Sequence, residues 1–189
     1  MIAWIVKPLA SAAFLAFAWK LGALESSYGK MIFLGLSLSW IGDVLLIPES
    51  SPAFLGGLAS FLLAHVAYGA AFLLRGQEPS WAVLAACALI LSAVVTGRWL
   101  LPHVKAKKPG MIAPVVAYML AISAMMTLAV GAAAAARDPR IFLGAALFYV
   151  SDVSVARDKF VAPSRVNRLW GLPLYYAAQF VLAWTVAAP

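Results

Sequence analysis

Acidic side chains are scarce in this sequence. Its 189 residues hold 7 Asp and Glu against 14 Lys and Arg, and charged residues make up only 11% of the chain. So few charges leave too little polar surface to cover a soluble domain of this size. A single cysteine, Cys87, sits in an apolar run, so disulfides are not a design element. The only histidines, His65 and His103, disfavour a zinc hydrolase of the three-histidine kind. There is no Gly-x-Ser-x-Gly elbow, phosphate loop or dinucleotide fingerprint, which disfavours a serine esterase of the α/β-hydrolase type and the nucleotide-binding classes. Neither an internal repeat nor a low-complexity domain stands out, and Ala132 to Ala136 reads as an alanine-rich helix end.

What remains is apolar: 65% of the residues are hydrophobic, and they fall into long runs. Such runs satisfy their backbone in lipid as helices, so the fold class is all-α, a polytopic transmembrane bundle. At about 20 residues per crossing, seven spans are expected, near 2–19, 30–48, 53–74, 80–101, 111–134, 140–157 and 168–187. The separators are polar or turn-forming: Glu25-Ser26-Ser27, Pro48-Glu49-Ser50-Ser51-Pro52, Arg75 to Ser80, Pro102 to Gly110, Arg137-Asp138-Pro139-Arg140, and Arg157 to Arg168. The connections are short, so residues 1–189 read as one integral-membrane domain. The first segment lacks a basic leader and is interrupted by Lys7-Pro8, so it reads as a retained helix and not a signal peptide.

The net charge of +7 does not call for nucleic acid, because the cations cluster in loops. With seven spans, Arg98, Lys105, Lys107, Lys108, Arg157, Lys159, Arg165 and Arg168 share the side of the N-terminus, against Lys20, Lys30, Arg75, Arg137 and Arg140 opposite. That bias favours a cytoplasmic N-terminus. The run Lys105-Ala106-Lys107-Lys108 reads as topogenic, and His103 as a solvated loop residue. Alanine-rich composition and compact loops point to the inner membrane of a bacterium.

Against this background Asp43 and Asp152 are conspicuous, because each lies inside an apolar, membrane-length segment. A carboxylate at the centre of a membrane helix costs roughly 2.5–3.5 kcal/mol even on the lenient insertion scale. Each lies five residues before the expected end of its span, about 7–8 Å inside the same boundary. Lys7 enters from that side too, His65 lies deeper, and Gln179 falls near the middle of the last span, so a central polar cavity opening toward the N-terminal side is expected. Helical spacing places Ser39 with Asp43, His65 with Tyr68, Gly144 with Phe148 and Asp152, and Tyr175 with Gln179 on common faces, and sets Tyr149 three residues before Asp152.

Two carboxyl groups in a low-dielectric cavity suit acid–base hydrolysis, one donating a proton while the other activates water. The alternative is a structural pair, for instance Asp43 with Lys7, that pins two helices, or a proton relay in a small transporter or flippase. Lys7 is open to three readings: a lipid-phosphate ligand, a counter-ion for an aspartate, or a lysine that snorkels to the interface. His65 suits a proton carrier or hydrogen-bond donor; Tyr68, Tyr118, Tyr149, Tyr175 and Tyr176 suit a headgroup site or aromatic packing; Gln179 suits a ligand or helix glue.

These residues also carry a resemblance. Lys7-Pro8, Ser39-Trp40-Ile41-Gly42-Asp43, Phe54-x-x-Gly57-x-x-x-Phe61-x-x-x-His65-x-x-Tyr68, Tyr118 with Met125, Gly144 to Asp152 followed by Lys159-Phe160, and Tyr175 to Gln179 together resemble, in order and spacing, the YhhN-type membrane proteins, which include the lysoplasmalogenases. That family usually has eight helices; here Lys7-Pro8 stands almost at the start, in keeping with seven. The resemblance implies hydrolysis of the vinyl ether bond of a lysoplasmalogen, with no metal or other cofactor, to a fatty aldehyde and glycerophospho-ethanolamine or -choline. It implies a lysophospholipid substrate, Asp43 and Asp152 as the catalytic pair, and Lys7, Ser39, His65, Tyr68, Tyr118, Tyr149, Tyr175 and Gln179 around the substrate.

Overall fold

In the computed structural model of the chain, which describes residues 2–48 and 50–187, seven α-helices follow one another. They are α1 (Ile2–Lys20), α2 (Ser27–Leu45), α3 (Ser51–Leu74), α4 (Pro79–Lys107), α5 (Ile112–Ala136), α6 (Pro139–Ala156) and α7 (Arg165–Trp184). A 3-10 turn, Pro109–Met111, precedes α5, and a π-helical turn, Arg157–Val161, extends α6. Four helical segments, 51–74, 79–107, 109–136 and 139–161, are long and apolar enough to cross a membrane. Glu49, in the expected second turn, lies outside the described residues.

Local chemistry explains where the helices begin and end. Ser26, Ser50, Asp138 and Ser164 accept hydrogen bonds from the first-turn amides of α2, α3, α6 and α7, the usual way to satisfy otherwise orphaned donors. Proline stands in the first turn of α3, α4 and α6, where a missing N–H costs nothing. The serine cap starts α2 three residues earlier than the hydropathy suggested, and the helix stops at Leu45, not 48. The largest departure is α4. Its expected end at 101 is overrun to Lys107, straight through Pro102, because one proline removes one hydrogen bond and the residues beyond it suit a helix. His103, expected in a loop, therefore lies on α4. The alanine run does end a helix: α5 stops at Ala136, with Arg137 in the left-handed region at φ 53°.

Successive helices run antiparallel, and side-chain contacts pin both ends. At one end Tyr28 of α2 donates to Thr185 after α7, Gln77 bonds the Leu128 carbonyl of α5, and Arg140 stacks on Trp184. At the other, Lys7 meets Asp43, Lys107 bonds the Val161 carbonyl, and Phe54 of α3 packs on Phe160. Helices α1, α2, α3, α5, α6 and α7 form a closed ring, each touching the next and α7 returning to α1, while α4 packs outside on α5 and the π-turn. The tightest pairs are α2–α3 and α6–α7. Glycine permits that closeness: a Cβ on Gly42 would meet the Phe61 ring at 2.6 Å, and one on Gly171 would strike Ser154 Oγ.

Away from the aspartates of interest, Asp138 closes the far end of the ring. It caps α6 and accepts from Arg140 Nε at 2.8 Å and Nη2 at 2.9 Å, with 2% of its side chain exposed. Burial pushes its carboxyl up, but the bonds from Arg140 outweigh that and hold it below the usual carboxylate range. A depressed folded-state pKa contributes stability above the unfolded value, and that contribution is lost as the pH falls through the folded value. Asp138→Ala is therefore expected to lower stability by about 2–3 kcal/mol at neutral pH, between the cost of a lost cap and that of a broken buried pair. The deficit should vanish in acid below the ordinary carboxylate range, as read by thermal unfolding in detergent.

Candidate active site

The ring brings two carboxylates into its interior, each with its own donors. On α2, Asp43 is 2% exposed. Its Oδ2 accepts from Ser11 Oγ of α1 at 2.6 Å and from Tyr175 Oη of α7 at 2.6 Å. Its Oδ1 lies 3.1 Å from Lys7 Nζ, which also bonds the Asp43 carbonyl at 3.2 Å. Tyr176 Oη extends the group, 3.3 Å from Ser11 Oγ. Trp40 Nε1 donates to the Pro8 carbonyl at 3.1 Å and fixes α1 beside α2. A cation and two hydroxyls thus converge on one carboxyl group.

On α6, Asp152 is more open, with 16% of its side chain exposed. Both of its contacts converge on Oδ2: Tyr118 Oη of α5 donates at 2.6 Å, and His65 Nε2 of α3 lies at 3.3 Å. His65 Nε2 is also 3.1 Å from Tyr118 Oη, and its ring is fully buried. A third group lies between α3 and α7, where Tyr68 Oη donates to Gln179 Oε1 at 2.7 Å, with Ser39 Oγ beside it.

Aromatic rings join these groups. The Phe148 ring centroid is 4.7 Å from that of His65, 5.6 Å from Tyr175 and 6.1 Å from Tyr68. Phe61 packs edge-on against both Phe148 and Tyr175. The two aspartates therefore share no hydrogen-bond partner among the described residues, but Phe148 touches a partner of each. Among the described residues no three of His, Cys, Asp and Glu gather as metal ligands.

Of the residues expected around the site, Lys7, Asp43 and Tyr175 meet directly, His65, Tyr118 and Asp152 meet directly, and Tyr68 pairs with Gln179. Ser39 shares the interior face with Asp43 but turns toward Tyr68. Tyr149 does not join the Asp152 group: its hydroxyl lies 3.1 Å from Ser92 Oγ of α4. Three residues before Asp152 is 300° around a helix, which carries Tyr149 off the interior face, whereas Phe148 at four residues stays on it. Asp43 also lies closer to its helix end than expected, two residues or about 3 Å before the end of α2, because that helix stops early. The residue missed is Ser11. Its one signal was its position four residues after Lys7, on the same face of α1.

On the Asp152 end, a cavity of about 590 Å³ opens between α4 and α5, lined by Gly97, Arg98, Leu101, Pro102, Lys105 and Ile112.

Comparison with known proteins adds independent information. The YhhN family model matches residues 2–186. The chain is 34% identical over 159 residues to the lysoplasmalogenase TMEM86A of Bos taurus, covering 80% of this chain and 63% of that protein. It is 31% identical over 180 residues to the lysoplasmalogenase TMEM86B of Homo sapiens, covering 94% and 72%. It is 35% identical over 158 residues to a lysoplasmalogenase of Mycobacterium tuberculosis, covering 78% and 56%. The chain thus spans between 56% and 72% of the length of these relatives. No solved structure matches it.

Proposed function

The chain belongs to the YhhN family of membrane proteins, and from that premise we propose that it hydrolyses the vinyl ether bond of a lysoplasmalogen. The single observation that carries the reading is the pair of unlike carboxyl environments: Asp43 with a lysine and two hydroxyls, Asp152 with a tyrosine and a histidine on one oxygen. Environments that separate two carboxyl groups separate their roles as acid and base.

In this scheme Asp152 is the acid. Tyr118 and His65 occupy Oδ2, so the transferable proton resides on Oδ1. It passes to C2 of the alkenyl chain, whose π electrons form the new C–H bond and leave an oxocarbenium ion at C1. The Asp43 carboxylate stabilises that cation and takes a proton from the attacking water. The hemiacetal then collapses, its hydroxyl proton moving to the glycerol oxygen, and fatty aldehyde and glycerophospho-ethanolamine or -choline leave. Asp43 returns its proton through water and His65 reloads Asp152. The role of Lys7 is to hold Asp43 charged, since it bonds both the side chain and the carbonyl of that residue. The substrate phosphate then falls to Arg98 and Lys105 in the cavity between α4 and α5. Residues 1–189 act as one membrane domain, in the inner membrane of a bacterium with the N-terminus cytoplasmic.

The test is purified protein in detergent with lysoplasmenylethanolamine. Aldehyde and glycerophosphoethanolamine are expected in equal amounts. Proteoliposomes that move a solute with protons, from protein that releases no aldehyde, would replace the hydrolase with a transporter.

A further inference from the structure

Hydrolysis needs water at one point inside an apolar bundle, and two side chains are left to place it. Ser39 Oγ and Gln179 Nε2 are fully buried and, among the described residues, complete no hydrogen bond of good geometry, although Ser39 lies beside the Tyr68 hydroxyl and Gln179 beside that of Tyr175. They come from opposite helices, α2 and α7, yet flank one hydroxyl: Tyr68 Oη, which donates to Gln179 Oε1 at 2.7 Å and has Ser39 beside it. That bond fixes the amide, so its NH₂ group points away from Tyr68, with one N–H toward the Tyr175 hydroxyl and the other available. The serine hydroxyl adds a donor and an acceptor. Two such groups left dry would each weaken the fold. Buried polar groups of this kind are usually met by ordered water, which needs two to four polar partners.

The surroundings select the ligand. Among the described residues no cationic side chain hydrogen-bonds to Ser39, Tyr68 or Gln179, so an anion finds no counter-charge bonded there. The Phe148 ring stands 6.1 Å from that of Tyr68, and a Cβ on Gly35 would meet the Tyr68 ring at 2.5 Å, so the packing around Tyr68 is too close for a larger ligand. The place is also connected to the base. Gln179 neighbours the Tyr175 hydroxyl, which donates to Asp43 Oδ2 at 2.6 Å.

We infer that Ser39 and Gln179, with Tyr68 orienting the amide, seat the water molecule that attacks the oxocarbenium carbon. The inference rests on the vinyl ether hydrolase reading. As the water oxygen bonds C1, its proton passes to Tyr175 Oη, and the Tyr175 proton passes to Asp43 Oδ2. The cation and the carboxylate are consumed together, leaving a neutral hemiacetal and a neutral Asp43. Ser39 and Gln179 thus serve addition, whereas Asp152, His65 and Tyr118 serve protonation.

Kinetics in D₂O separate the two steps. Ser39→Ala and Gln179→Leu are expected to lower kcat by about 10–100-fold, the size of a misplaced reacting group, with KM little changed. With addition slowed, the oxocarbenium ion lives long enough to turn about its C1–C2 single bond before Asp152 takes back the original C2 hydrogen, so substrate recovered from the variants carries deuterium at C2 with the opposite alkene geometry. Substrate recovered from wild type does not. Variants that keep the wild-type kcat, change KM alone, or lose kcat without deuterium in the recovered substrate overturn the inference. A map of the wild-type protein at about 2 Å resolution gives a readout free of activity: a water oxygen within hydrogen-bond distance of both Ser39 Oγ and Gln179 Nε2 is expected, and a dry pocket overturns the inference. Absence of aldehyde from wild type would instead sink the hydrolase reading, a different result from either.

Discussion

Asp152→Asn is expected to lower aldehyde release by about 10²–10⁴-fold, the contribution of a positioned general acid. An amide fills the same space and still accepts from Tyr118, whose hydroxyl donates to Oδ2 at 2.6 Å, so the fold should tolerate it. What it lacks is an acidic proton for the alkene carbon. Asp43→Asn should lose a comparable factor for a different reason. It keeps acceptors for Ser11 and Tyr175 but removes the negative charge opposite the oxocarbenium ion and the base for water. The two variants differ in one measurable respect. Asp43→Asn still protonates C2, and the stranded ion can turn about its C1–C2 bond before it returns the original hydrogen, so substrate recovered from D₂O carries deuterium with inverted alkene geometry, whereas Asp152→Asn leaves it unlabelled. Release rates, with thermal unfolding to confirm that both variants fold, check this. Activity that survives both changes would remove the proposed mechanism.

Lys7→Met carries the largest expected effect on stability. Among the described residues its ammonium is the cation bonded to Asp43, at 3.1 Å, and the carboxylate is 2% exposed. Removing one partner of a buried pair leaves the other charged and desolvated, which costs about 3–5 kcal/mol. Lys7 is itself 25% exposed, so the lower end of that range applies. The double variant Lys7→Met with Asp43→Asn removes the stranded charge and should recover most of the lost stability while staying inactive. This cycle distinguishes a counter-ion from a phosphate ligand. If Lys7 held the substrate phosphate, Lys7→Met would raise KM, leave stability unchanged, and gain nothing from the second substitution.

Helix number was legible because polar or turn-forming residues separate the apolar runs, although only four of the segments, 51–74, 79–107, 109–136 and 139–161, are long and apolar enough to cross a membrane. Lys7, Asp43 and Asp152 do gather toward one end of the ring. Helix ends were less legible. A serine cap outweighs hydropathy at α2, and a single proline does not stop α4. The partners of each aspartate were the least legible, because spacing along a helix fixes a face and not the neighbour across it. Ser39 and Asp43 share a face yet serve different groups. Ser11 lies in an alanine-rich stretch where only its distance from Lys7 marks it out. Tyr149 had the right distance from Asp152 and the wrong angle, and the ring joining the two polar groups is its neighbour Phe148.

The most direct measurement is the isotopic content of the aldehyde formed in D₂O. Wild-type protein is given lysoplasmenylethanolamine, and the aldehyde is reduced to the alcohol as it appears, before its α-carbon exchanges with solvent. Protonation of the alkene carbon by Asp152 predicts one deuterium at C2 of every product molecule, and none in product from Asp152→Asn beyond the uncatalysed background. Aldehyde without deuterium at C2, or full labelling that persists at the wild-type rate in Asp152→Asn, would contradict the assignment of the two aspartates.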